Sequence, residues 1–130
     1  MSAPTKQSDY TFQQILDSIY TCLEERDWHE QDTRSLAISI SLEAAELLEH
    51  YQWSDTPVGS KEDLASELAD ILIYAFNFAS REGIDIPEAI LAKLEKQKKK
   101  YPAEDFKHTH GEDTRKAWLK AKLRHQKEGL

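Results

Sequence analysis

The segment LEAAELLEHYQWSDTPVGSKEDLASELAD, residues 42–70, decides the fold and suggests the chemistry. Its two halves are rich in Leu, Ala and Glu, the composition of stable helices. Between them, Pro57 and Gly59 break the pattern, and Ser60 followed by Asp63 has the spacing of a capping box. The segment therefore predicts two antiparallel helices joined by a short connection. Each half carries an acidic pair three residues apart, Glu43 with Glu46 and Glu67 with Asp70. That spacing puts both members of a pair on one helix face. Glu46 and Glu67 lie equally far from the break, and so do Glu43 and Asp70. Four carboxylates should thus meet in two layers between apolar walls.

Such a cluster repels itself and needs protons, paired cations or metal. No Lys or Arg follows Arg34 in the second helix, and none lies between Lys61 and Arg81 in the third. A divalent cation is the simplest remaining answer. All-oxygen donors select Mg²⁺, Mn²⁺ or Ca²⁺ over zinc, and carboxylate-held Mg²⁺ commonly recruits substrate phosphates.

Outward from this hairpin the period stays helical. Phe12, Ile15, Leu16, Ile19, Tyr20 and Leu23 form the stripe of a first helix, with Asp9 as its expected cap. The second helix is expected over 35–52 and the third from Ser60 to Gly83, with Leu64, Leu68, Ile71, Leu72, Ile73 and Phe76 apolar on most sides. A fourth opens at Asp85-Ile86-Pro87 and ends at Tyr101-Pro102. After a polar loop, a weak helix is expected over 114–126. The reading is all-α: a four-helix bundle over 9–102, an arm over 1–8 and a tail over 103–130.

Composition narrows the function. The 130 residues carry 17 Lys and Arg against 24 Asp and Glu, a net charge of −7. This argues against a nucleic-acid polymer as partner. No apolar run approaches the roughly 18 residues that span a bilayer, so no membrane partner is expected. The opening MSAPTKQSDY has no apolar signal core. One cysteine, Cys22, excludes a disulfide framework and fits a reducing, cytoplasmic setting. It is expected to be a buried, inert thiol. His50 is expected at a helix-end surface, and His108 and His110 in a polar loop without a role.

The acidic pairs and their surroundings resemble the MazG-like nucleotide pyrophosphohydrolases of the all-α nucleoside triphosphate pyrophosphatase superfamily. The resemblance is carried by Glu43-x-x-Glu46, Glu67-x-x-Asp70, Glu25-Arg26-Asp27-Trp28, Tyr51-Gln52-Trp53, Ile71-Leu72-Ile73-Tyr74 and Lys100-Tyr101-Pro102. It covers about residues 10–102 and is strongest toward the dCTP pyrophosphatase branch. It implies Mg²⁺-dependent cleavage between the α and β phosphates of a nucleoside triphosphate, a deoxyribonucleotide favoured, in clearing or balancing nucleotide pools. It also implies that Glu43, Glu46, Glu67 and Asp70 hold the metal, with Glu46 orienting or deprotonating the attacking water.

The same resemblance suggests a base pocket using Trp28, Trp53 and Tyr74, and phosphate or sugar contacts from Lys93, Gln97 and Tyr101. Gln97 stands where related chains commonly carry Asn. The stretch from His29 to Ser35 lacks the His and Pro frequent in the dCTP-specific branch. Both departures touch nucleotide recognition and leave the metal ligands intact. The family further implies a homodimer or homotetramer. Two other classes compete. A di-iron carboxylate protein would need a Glu-x-x-His motif, which none of these glutamates provides. A non-catalytic helical oligomerisation module with a vestigial metal site would leave the matched register unexplained.

Overall fold

A computed structural model describes residues 9–129, so the arm expected over 1–8 lies outside the described residues. Those residues form six α-helices and no strand: α1 (Phe12–Glu24), α2 (Thr33–Glu49), α3 (Lys61–Glu82), α4 (Ile86–Lys100), α5 (Ala103–Phe106) and α6 (Glu112–Glu128). A 3-10 turn, Trp28–Glu30, stands between α1 and α2. The all-α expectation holds.

The caps explain the boundaries. Thr11, not Asp9, opens α1: its side chain accepts the Gln14 N–H, and the Gln14 side chain accepts the Thr11 N–H in return. Asp32 opens α2 two residues earlier than expected, because its carboxylate takes both the Ser35 N–H and hydroxyl. The same helix stops at Glu49, short of Gln52. There the chain turns, and the His50 carbonyl accepts the Val58 N–H at 2.9 Å. Ser60 and Asp63 form the capping box of α3, and Gly83 ends it with φ at +66°. Helix α6 is longer than the sequence pattern indicated, opening with Glu112 and Asp113 and closing at Gly129 with φ at +72°.

The chain divides into two compact units, one ending at Ile84 and the other beginning at Asp85. In the first, α2 and α3 make the dominant packing, as an antiparallel hairpin. Leu36 of α2 is fully buried, joined by Leu23 of α1 and by Asn77 and Ala79 of α3. Phe12 meets Phe76 edge-on, with ring centroids 5.6 Å apart, which ties α1 to α3. Leu68, Leu72 and Ile73 of α3 stay exposed. In the second unit, α6 lies against α4 and buries Ala121. There the Arg124 guanidinium donates to the Lys99 and Lys100 carbonyls that end α4.

Candidate metal centre and adjoining cavity

The hairpin brings three of the four expected carboxylates together. Ligand oxygens of Glu43, Glu46 and Glu67 lie within 4.8 Å of one another. Glu43 and Glu67 are half-buried and Glu46 is exposed. Desolvation raises the Glu43 carboxyl above its ordinary range. The neighbouring Glu46 carboxyl adds to this, as do the charges of Asp70 and Glu67. Glu67 is raised by the same first cause and then by Glu46, with His50 acting in the opposite direction. Asp70 stands outside the close trio but near enough for its charge to reach Glu43.

One observation tests whether these residues suit a cation. The Oε2 atom of Glu43 is buried and has no hydrogen-bond partner. A buried carboxylate oxygen without a donor is costly, and a cation held by the trio would satisfy it. Among the described residues no lysine or arginine pairs with these carboxylates. The donor set is all oxygen, and hard cations such as Mg²⁺ or Mn²⁺ fit it.

Beside the carboxylates lies a cavity of about 560 Å³, walled by α1, the 3-10 turn and α3. Asp70 and Tyr74 reach it from α3, Trp28 from the turn, and Ile15 and Ile19 from α1. Asp70 is therefore shared between the acidic cluster and the cavity wall. Trp28 and Tyr74 both line this cavity. Trp53 does not join them; it sits in the connection between α2 and α3 and is 85% exposed. Lys93, Gln97 and Tyr101 belong to α4 and its C-terminal end, in the second unit.

Cys22 and His50 differ from their sequence-based expectation, and Asn77 is a site residue that the sequence reading missed. Asn77 drew no attention in the sequence, yet it lines the cavity, is only 2% exposed, and donates to the Trp28 carbonyl at 3.4 Å. The signal was present as a lone amide within the apolar stretch of the third helix. Cys22 is exposed rather than buried and lines the cavity, with the Arg26 guanidinium 3.3 Å from its sulfur. His50 is not a free surface side chain. Its Nδ1 accepts the Gly59 N–H at 3.1 Å and its Nε2 lies 3.6 Å from Glu67 Oε1.

Comparison with known proteins finds relatives of this chain. A family model described as the MazG-like family matches residues 38–113. The dCTP pyrophosphatase 1 of Mus musculus is 36% identical over 87 residues, covering 60% of this chain and 51% of the relative. That of Homo sapiens is 35% identical over 88 residues, covering 61% and 52%. The chain thus spans about half the length of the curated relatives it matches. Among solved structures, a pyrophosphatase from Archaeoglobus fulgidus superposes with a TM-score of 0.59 at 30% identity, covering 76% of this chain and 99% of that one.

Proposed function

The chain belongs to the MazG-like family, and from that premise we propose that it is a Mg²⁺-dependent nucleoside triphosphate pyrophosphohydrolase. Water attacks the α phosphorus, the bond from that phosphorus to the α–β bridging oxygen breaks, and the products are a nucleoside monophosphate and pyrophosphate. The observation that carries this reading is the trio Glu43, Glu46 and Glu67, with a buried, unpartnered Glu43 oxygen, beside a cavity roomy enough for a whole nucleoside. The names of the related dCTP pyrophosphatases support a pyrimidine deoxynucleotide as substrate.

In this reading Glu43, Glu46, Glu67 and Asp70 hold the cation. When bound, Mg²⁺ neutralises phosphate charge and makes a coordinated water more acidic. Glu46 is the most accessible of the trio and takes the proton from the attacking water. The base enters the cavity against Trp28 and Tyr74, whose rings offer stacking surface. Roles for Trp53, Lys93, Gln97 and Tyr101 in substrate binding rest on sequence resemblance. A homodimer or homotetramer is part of the proposal. Ile38, Leu42, Leu48, Leu68 and Leu72 are exposed in the single chain, and a second copy would cover such apolar area. Light scattering on a sizing column should give a mass of at least two chains.

The test of function is a panel of nucleoside triphosphates with and without Mg²⁺, following both products. The expected outcome is pyrophosphate and monophosphate only when the cation is present, and no turnover by E67A. Orthophosphate with a nucleoside diphosphate would place cleavage at the other anhydride and refute the assignment.

A further inference from the structure

The connection between α2 and α3 returns to clamp a single residue twice. Val58 N–H donates to the His50 carbonyl at 2.9 Å, and Gly59 N–H donates to His50 Nδ1 at 3.1 Å. The second bond decides the tautomer. An Nδ1 that accepts has no proton, so a neutral ring carries its proton on Nε2. That nitrogen faces Glu67 Oε1 at 3.6 Å, with the imidazole side chain only 14% exposed.

Gly59 makes this arrangement possible. A Cβ at position 59 would lie 2.5 Å from His50 Cε1, 2.8 Å from Nδ1 and 2.9 Å from Asp63 Oδ2. No real side chain tolerates such distances, and the imidazole would have to move. The Ser60–Asp63 capping box that starts α3 fixes the neighbouring backbone. The Gly59 amide is therefore aimed by the helix start itself.

We propose that His50 is a positioning residue for Glu67: its Nε2–H, aimed at Oε1 from 3.6 Å, draws that oxygen toward the imidazole by charge–dipole attraction and leaves the other carboxylate oxygen for a divalent cation. The role rests on Glu67 being a cation ligand, as in the function proposed above. Groups that orient a ligating carboxylate set metal affinity without touching the metal.

The experiment measures Mn²⁺ binding to the full chain by calorimetry, with no nucleotide present, for the unaltered protein, H50Q, H50N and G59A. Gln places an amide donor near the imidazole Nε2 position, whereas Asn is too short to reach Glu67. H50Q should bind Mn²⁺ within about 3-fold of the unaltered chain, whereas H50N should bind about 10-fold to 100-fold more weakly. G59A should weaken binding in the same direction, because the added Cβ displaces the imidazole and meets none of Glu43, Glu46 and Glu67. Far-UV circular dichroism accompanies each variant. Should H50N lose helicity, H50Q against G59A decides the matter. Affinities equal in all four chains, or H50Q as weak as H50N, would overturn the role of His50. Absence of Mn²⁺ binding by the unaltered chain would instead remove the cation reading itself, and this role with it.

Discussion

Replacing Glu46 by Gln should have opposite effects on stability with and without metal. The substitution keeps the side chain's size and removes one charge from three ligand groups that lie within 4.8 Å. Without cations, burial raises both Glu43 and Glu67, and the neighbouring Glu46 carboxyl raises each of them further. The folded chain then binds their protons more tightly than the unfolded chain. Their contribution to stability is full below the ordinary value of 4.5 and is lost as pH rises through the raised folded values. At neutral pH the metal-free E46Q chain should therefore melt at or above the unaltered protein, and its melting temperature should fall less as pH rises from 4.5.

With cation the order reverses. Octahedral oxygens about 2.1 Å from Mg²⁺ lie about 3.0 Å from one another. The trio therefore needs only side-chain adjustment to close on the ion. A cation present at about 100 times its Kd stabilises the native state by about 2.7 kcal/mol. For a chain of this size that is a rise of about 8 °C, at about 3 °C per kcal/mol. If losing one ligand weakens binding about 100-fold, the same cation concentration gives E46Q only about 0.4 kcal/mol, or about 1 °C. Differential scanning calorimetry with and without Mg²⁺ reads both signs. A variant that gains as many degrees from Mg²⁺ as the unaltered protein, or melts several degrees lower without it, refutes a shared cation site.

Three further outcomes follow from the packing. N77A removes the donor to the Trp28 carbonyl; it should raise the nucleotide KM about 2-fold to 12-fold, the range of one net hydrogen bond, while Mn²⁺ affinity measured by calorimetry is unchanged. L36A empties the one apolar side chain of α2 that is fully buried; it should cost about 2–5 kcal/mol in urea unfolding, and a loss under about 1 kcal/mol would contradict the packing described. Asp32 is held below the ordinary 3.8 by the Ser35 N–H, then by the Ser35 hydroxyl. Its contribution is present above that value and is lost as pH falls through the lower folded one. Thermal melting between pH 5 and about pH 2.5 should therefore fall less steeply for D32N.

The helical class, the hairpin and the closeness of Glu43, Glu46 and Glu67 were legible in residues 42–70 because they depend on local rules. Apolar spacing, a Pro and Gly break and a Ser-x-x-Asp cap act over a few residues, and two helices of known pitch fix their own register. Boundaries were less legible. Asp9 and Thr11 both suit an N-cap by composition, and only Thr11 finds its reciprocal partner in Gln14. The environments of His50, Gly59 and Asn77 depend on contacts that sequence distance hides. His50 and Gly59 are nine residues apart and meet because the chain turns back on itself. Asn77 and Trp28 meet across 49 residues because α3 packs beside the turn after α1. The sequence alone determined which groups carry charge and which helix faces they share. Tertiary packing alone decided which carboxylate oxygen is left buried without a partner, which imidazole nitrogen faces Glu67, and which aromatic rings wall the cavity, since each of these depends on how close two helices or a loop come in space.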